Sequence, residues 1–131
     1  MRTGLSIHLH IRDVLLASAH VRERVGERIY SIAAVNGTEY PFILCTRTAL
    51  SPENTKDGWD GDATTVAIEI VSRSSTEAIA IAEDVREALE AEDLHYLGWS
   101  VVEPQLLTAT EGYDLESDTY VESLQFSFNV K

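Results

Sequence analysis

Hydrophobic residues near the start of the chain repeat at the spacing of a helix. Five of them recur at intervals of three and four positions: Ile7, Ile11, Val14, Leu15 and Ala19. This period predicts a first helix over about residues 4–19. Ile7, Leu9 and Ile11 also alternate with polar residues, as in a strand, so the first turns stay open between the two structures. Gly26 is a typical helix terminator and predicts a short second helical turn before it.

The next two segments have the composition of strands. The segment "RIYSIAAV" precedes Asn36 and Gly37, a dipeptide that accepts positive φ at both central positions of a tight turn, and "YPFILCTRTAL" follows it. This pattern predicts two antiparallel strands joined by that turn. Pro41 lacks an amide donor, which predicts a position at the start of its strand or on a sheet edge.

A long polar stretch, "SPENTKDGWDGDA", comes next, and Trp59 is its only large apolar residue. The lack of apolar positions predicts a long loop over residues 51–62. Such a loop is longer than a hairpin connection needs, and long ordered loops are often functional. The stretch is therefore the first place to look for a site.

The most regular pattern lies in the middle of the chain. The segment "TTVAIEIVS" is rich in β-branched residues and predicts a buried strand with Val66, Ile68 and Ile70 on one face. Ser74 and Glu77 have the spacing of a capping box, which predicts a helix directly after that strand. The predicted buried stripe of this helix is Ala78, Ile81, Ala82, Val85, Ala88 and Leu89.

Two more strands are predicted after this helix. One surrounds "WSVVEP", and the last, "YVESLQFSFNV", alternates polar residues with Leu124, Phe126, Phe128 and Val130. The resulting order is helix, two strands, long loop, strand, helix, two strands. It predicts an α+β fold, an antiparallel or mixed β-sheet with two main helices packed on one face, and a single domain over residues 1–131.

Composition narrows the classes of function. No run of about 18 apolar residues exists to cross a membrane, and polar residues interrupt the apolar N-terminal segment, unlike a secretion signal. We therefore expect an intracellular protein with no membrane partner. The 22 acidic against 10 basic side chains give a formal charge of -12, which repels phosphate. We expect no specific binding of nucleic acid, although such a surface lets DNA slide past without being held.

The candidate reactive residues do not form a known catalytic pattern. Asp57, Asp60 and Asp62 suggest a calcium loop, but Trp59 and Gly61 occupy positions where an EF-hand needs oxygen ligands. The histidines are scattered: His8, His10, His20 and His95. No glycine-rich phosphate loop and no GxSxG elbow occurs. We therefore expect no catalytic residue, no metal and no cofactor.

One enzymatic alternative stays open at this point. A small metal-dependent hydrolase could use the acidic stretch 57–62 together with His95. The only cysteine, Cys45, excludes an intramolecular disulfide and fits a small core residue better than a nucleophile. A second acidic group is predicted to be a solvated face, or a surface that usefully repels DNA: Glu111, Asp114, Glu116, Asp118 and Glu122.

Segments throughout the chain carry a resemblance to a known family. They are "VGERIYSI", "YPFILCTRT", "KDGWDGDATTVAIEIVSRSSTEAIAIAEDVREAL" and "GYDLESDTYVESLQFSFNV". In these segments the chain resembles the tail completion, or tail terminator, proteins of the head-to-tail joining region of tailed phages, which also occur in prophages. The resemblance implies an α+β domain with no catalytic residue.

The resemblance also implies a function and a set of partners. Copies of the chain would assemble as a ring, a hexamer in the finished tail, that caps the tail tube and docks on the head connector while DNA passes without specific binding. The location would be the virion tail, with assembly in the cytoplasm of the host bacterium. An alternative is a binding module of a phage-like secretion machine, since the parts of such machines are similar to those of phage tails.

Ring assembly makes a prediction about the polar stretch. Subunits of a ring meet through two different surfaces, and an aromatic side chain in a polar segment often anchors an interface. We therefore expect Lys56, Asp57, Trp59 and Asp60 to form the assembly contact, with Asp62 in a supporting role.

Overall fold

Three α-helices and six strands follow one another in the part of the chain that the structure describes. The structure is a computed structural model, and it describes residues 4–90, 94–96 and 99–130. The helical elements are a 3-10 turn Gly4–Ser6, α1 Ile7–Ala17, α2 Ala19–Val25 and α3 Ser75–Leu89. The strands are β1 Ile29–Ser31, β2 Phe42–Thr55, β3 Gly58–Ser72, β4 Leu94–Tyr96, β5 Trp99–Asp114 and β6 Thr119–Val130.

The strands form one mixed sheet in the order β1-β2-β3-β6-β5-β4. Only β1 and β2 are parallel, and the other neighbouring pairs are antiparallel. Helix α1 packs against β1 and β2, α3 packs against β3 and β6, and α2 contacts both helices. This arrangement confirms the predicted α+β fold. No helix among the described residues is long and apolar enough to cross a membrane.

The first predicted helix is confirmed, and the alternative of an N-terminal strand is wrong. Ile7, Ile11 and Leu15 lie one turn apart on α1 and are fully buried, as a helical period requires. Ser18 separates α1 from α2, and its Oγ accepts a hydrogen bond from the Val21 N–H at 3.4 Å. The predicted second helical turn is α2, which ends at Gly26.

The helix predicted from the capping box is α3. Ser74 is its N-cap, and its Oγ accepts a hydrogen bond from the Glu77 N–H at 3.3 Å. The return half of the box runs through Ser72, whose Oγ donates to Glu77 Oε1 at 2.7 Å and accepts from the Ser74 N–H at 3.1 Å. The predicted stripe faces the core, with Ala88 half-buried and the other five positions buried.

The core lies between these helices and the central strands. Val66 and Ile68 on β3 lie opposite Phe126 and Leu124 on β6, and all four side chains are buried. The predicted last strand is therefore confirmed. The buried Cys45 belongs to the same core, where desolvation raises the pKa of its thiol to about 12.

The predicted antiparallel pair before the polar stretch is wrong, because β1 and β2 run parallel. The chain leaves the sheet after β1 at Ile32, which has a φ of 70°. The predicted turn exists, with a hydrogen bond from the Thr38 N–H to the Val35 carbonyl at 3.0 Å, but it lies in the connection outside the sheet. Pro41 directly precedes β2, as predicted.

The predicted long loop over residues 51–62 is also wrong. Strand β2 continues to Thr55 and β3 begins at Gly58, so only Lys56 and Asp57 connect them. The backbone ladder between the strands satisfies the peptide groups, whatever the side chains are. Strand β5 is likewise much longer than the "WSVVEP" segment from which it was predicted.

Candidate functional site

The stretch "KDGWDGD" lies in a two-stranded extension of the sheet, which we call the distal ribbon and define as residues 51–60. Strand β6 pairs with β3 only from Asp62 onward, so the start of β3 has β2 as its single described neighbour. Residues 51–58 and 60 are all exposed. From Pro52 to Thr55, the ribbon extends about 10 Å, at roughly 3.3 Å per residue.

Glycines shape the ribbon. Thr55 pairs with Gly58 across the turn, and Gly58 has a φ of 112°, which glycine adopts without a steric cost. The Asp57 N–H donates to Thr55 Oγ1 at 3.2 Å, which fixes the turn. Gly61 has a φ of 104° and lies where the register shifts between Pro52 and Asn54. The glycines of the motif therefore serve the turn and a bulge.

The ribbon contains four of the five residues predicted to form the assembly contact, and the exposure of three of them is described. Lys56 and Asp57 are exposed at its apex, and Asp60 is exposed on β3. Trp59 pairs with Asn54 through the backbone, but its side chain lies outside what the structure describes. Its role as an anchor stays a prediction.

Asp62 has a different environment from the other aspartates of the motif. Only 3% of its surface is exposed. A Cβ atom on Gly4 would overlap the Asp62 carboxylate and lie 2.8 Å from Leu50 Cδ1, so the N-terminal turn covers this side chain closely. Asp62 therefore belongs to the base of the ribbon, and its predicted supporting role stays untested.

The acidic motif was compared with the ligand set that a metal site requires. Among residues 4–90, 94–96 and 99–130, no three His, Cys, Asp or Glu side chains are grouped so that they could hold a metal ion. The side chain of His95, which the hydrolase alternative requires, lies outside the described part. His8 and His10 lie on α1, where desolvation lowers the pKa of both.

A second surface, which the sequence did not reveal, lies between α3 and the β5–β6 hairpin. It is an open groove of about 400 Å³, which we call the acidic groove. Its lining includes Ser75, Ile79, Glu111, Tyr113, Tyr120 and Glu122. Two of the acidic residues predicted to form a solvated face therefore line a concave surface.

The two carboxyl groups of the acidic groove interact directly. Glu111 on β5 lies opposite Glu122 on β6. Burial, a hydrogen bond with Glu111 and repulsion from its charge raise the pKa of Glu122 to about 7. Near neutral pH, Glu122 is therefore present in both protonated and ionised forms.

Two tyrosines form the adjacent wall. The ring centroids of Tyr113 and Tyr120 are 5.0 Å apart. The Tyr113 hydroxyl donates to Asp118 Oδ1 at 2.6 Å, and this hydrogen bond is the main reason that the pKa of Tyr113 is raised. Tyr113 is therefore neutral at pH 7 and held in one orientation.

Comparison with known proteins gives a consistent result. A family model described as "Tail completion protein gp17" matches residues 10–131. No individually curated protein matches the chain. A chain in the virion of the native gene transfer agent particle is similar, with a TM-score of 0.82, 21% identity, and coverage of 97% of each chain.

The gp17 protein of bacteriophage SPP1 has the same fold, with a TM-score of 0.62 and 18% identity over 100% of this chain and 96% of that chain. At these identities the two likenesses establish the fold, whereas the family model covers nearly the whole sequence. The chain therefore belongs to the family of tail completion protein gp17, whose members are structural proteins of phage tails.

Proposed function

We propose that this protein is a non-enzymatic tail completion subunit that forms a ring at the end of the phage tail tube and joins the tail to the head connector. The ring is a hexamer in the assembled tail, located in the virion after assembly in the host cytoplasm. Family membership supports the role, and the observation that carries the ring is the distal ribbon, which leaves the body of the fold and is exposed.

The ribbon supports assembly because the fold of a single subunit does not need it. Its described side chains bury little surface, and an isolated two-stranded hairpin is at best marginally stable in water. A neighbouring subunit would cover the ribbon and supply the missing burial. Lys56, Asp57, Trp59 and Asp60 are the contact residues in this proposal.

The two edges of the sheet also suit a ring. Strand β1 pairs with β2 only from Ile43 to Cys45, so beyond Cys45 no described strand pairs with the outer edge of β2. On the opposite side, β4 reaches only Trp99 to Val101 of β5 within the described residues. Open edges present unpaired amides that a neighbouring chain can bind. Because the two edges differ, contacts between them would be heterologous, as a closed ring requires.

The charge supports passage of DNA through such a ring. At a net charge of -12, each subunit repels the phosphate backbone, and six subunits would repel it strongly. DNA would therefore move through the channel without specific contacts. The tail tube and the head connector would bind the two rims of the ring.

Light scattering of the purified protein over a concentration series, at low and moderate salt, tests the proposal. The expected result is a closed ring of fixed mass that forms as the concentration rises. Trp59→Ala should abolish the ring and leave a folded monomer. A wild-type chain that stays monomeric at every concentration contradicts spontaneous ring formation, and unfolding of Trp59→Ala would mean that Trp59 belongs to the core.

A further inference from the structure

The helices do not cover the whole apolar face of the sheet. Helix α3 packs against β3 and β6, and none of the described helices packs extensively on β5. Yet β5 continues the same face, because residues opposite each other on two paired strands point to the same side. Leu106 lies opposite the buried Phe126, and Tyr113 lies opposite Tyr120. The uncovered strip beside α3 is the acidic groove.

The acidic groove combines apolar walls with an acidic floor. Ile79 is 43% exposed, Tyr113 48% and Tyr120 37%, so large apolar surfaces from a helix and two strands face solvent together. Glu111 and Glu122 lie next to these walls. Exposed apolar surface of this kind, edged by polar groups, is typical of a binding site for another protein.

None of the described residues that line the groove is a Lys or an Arg. The ion pairs of the described residues lie elsewhere, between Arg22 and Glu27, Arg24 and Asp84, and Arg86 and Glu90. A guanidinium or ammonium group above Glu111 and Glu122 would favour the charged form of Glu122 and form charge-assisted hydrogen bonds. The chemistry of the floor therefore selects a cation.

This chain is a poor source of that cation. Among its described Lys and Arg side chains, Lys56 alone has no intramolecular partner. The others form the three ion pairs, bond to backbone carbonyls or stack on a ring: Arg12, Arg28, Arg47 and Arg73. Lys56 itself is adjacent to Asp57 and shares the distal ribbon with Glu53 and Asp60. Through its distal ribbon, a second copy would therefore bring more negative than positive charge.

We propose that the acidic groove binds a basic, partly apolar segment of a different protein. An Arg or Lys side chain of that segment lies over Glu111 and Glu122, and an apolar side chain packs against Ile79, Tyr113 and Tyr120. Asp62 at the base of the ribbon pairs with Val130, the last residue of β6, whereas Tyr120 lies at its start. The groove and the distal ribbon are thus at opposite ends of the sheet and can be occupied together.

The probe for this proposal is a capped eight-residue peptide of alternating leucine and arginine. It is titrated calorimetrically at pH 7 into the full chain, at a concentration where the chain is monomeric, so the result does not depend on ring formation. A serine–arginine peptide of equal charge lacks the apolar contacts. We expect the leucine–arginine peptide to bind at least about tenfold more tightly, since both walls and floor contribute.

Two double variants separate the groove from net charge. E111Q/E122Q should weaken binding by about tenfold or more, because the cation loses both carboxylates. E23Q/E69Q removes the same charge at two exposed glutamates on α2 and β3, outside the groove, and should leave the affinity within about twofold. Circular dichroism and thermal melts confirm that both variants are folded.

Release of a proton from Glu122 on binding would distinguish a contact in the groove from general electrostatic attraction. The groups facing Glu122 are Glu111 on β5, the tyrosine rings of the groove wall and, from α3, the uncharged Ser75 and Ile79. A bound cation should therefore expel roughly half a proton from Glu122 at pH 7, seen as a buffer-dependent enthalpy and absent in Glu122→Gln.

Several outcomes would overturn the proposal. Equal weakening in both double variants would mean that only net charge matters. Equal affinity for the two peptides would mean that the apolar walls do not contribute to binding. A dissociation constant of the leucine–arginine peptide above about 1 mM, or binding without proton release, would mean that the groove is not the binding site.

Discussion

The two long hairpins of this protein share one core strand pair but end very differently. The β2–β3 hairpin runs past the end of its neighbour β6 and becomes the distal ribbon. The β5–β6 hairpin turns almost level with the end of β3, where Ser72 lies opposite Tyr120. One hairpin therefore projects a convex, polar tip, whereas the other forms one wall of a concave groove beside α3.

The difference teaches where interaction surfaces arise in a small α+β fold. The ribbon arises because β3 begins at Gly58, whereas its described pairing with β6 begins only at Asp62. The position of a helix creates the groove, because α3 begins at Ser75 directly after β3 and leaves β5 uncovered. The proposed ring contact and the proposed binding groove therefore lie at opposite ends of one sheet.

The largest expected effect comes from breaking the strand pair that both hairpins share. Phe126 is fully buried, lies opposite Val66 on β3 and Leu106 on β5, and has its ring 5.8 Å from that of Phe128. Phe126→Ala should lower the free energy of unfolding by about 3–5 kcal/mol, because it leaves a cavity in the core. Chemical denaturation monitored by circular dichroism measures this change. Tyr113→Ala on the exposed wall is the control and should cost much less.

The extent to which the sequence predicted these elements follows from what stabilises each of them. α3 and β6 were predicted because burial against the core imposes a period on their side chains. The ribbon was missed because its described side chains are exposed, so no apolar alternation is required there. The dipeptide Asp57–Gly58 is a hairpin signal, but flanking residues of low strand propensity, such as Pro52, Asn54 and Gly61, obscured it.

The candidate sites were predictable to different degrees for a related reason. The residues of the ribbon are contiguous in sequence, so Lys56, Asp57 and Asp60 could be proposed without a structure. The acidic groove joins α3 to β5 and β6, and the contact between Glu111 and Glu122 depends on strand register. Glu111 and Glu122 are too far apart in the sequence to form a local pattern. For this reason the sequence predicted them only as part of an acidic face.

Removing the cap of α3 tests the wall of the acidic groove. Ser74→Ala deletes the hydroxyl that accepts from the Glu77 N–H and should lower the free energy of unfolding by about 1 kcal/mol. Denaturant titration measures the loss. Glu83→Ala, at an exposed position of α3 outside the cap, should change stability by only a few tenths of a kcal/mol. Equal losses in the two variants would contradict a specific cap at Ser74.

Shortening the distal ribbon tests the opposite end of the sheet. Replacing residues 53–61 with Asn-Gly would close the hairpin at the pair between Pro52 and Asp62. The free energy of unfolding of the monomer should change by about 1 kcal/mol or less, because little buried surface is lost, while ring formation disappears. Denaturation of the monomer and light scattering measure the two effects.

The matched control shortens the other hairpin. Replacing the turn residues 115–118 with Asn-Gly changes the β5–β6 end and should leave ring formation intact. If both shortened chains still assemble, the ribbon is not the contact. If both fail, the two ends do not have separate functions.

The smallest effect is the pH dependence that Glu122 gives to stability. Its pKa is raised from 4.5 to about 7 in the folded chain, so the folded state binds this proton more tightly than the unfolded state. The stabilisation from Glu122 is therefore complete below pH 4.5 and is lost as the pH rises through about 7. Solvent screens a partly exposed pair, which keeps the effect small. The melting temperature should fall slightly between pH 5 and pH 8, and this slope should flatten in Glu122→Gln. An unchanged slope in that variant would mean that other groups cause the pH dependence, and that the carboxyl pair does not distinguish the groove end of the sheet from the ribbon end.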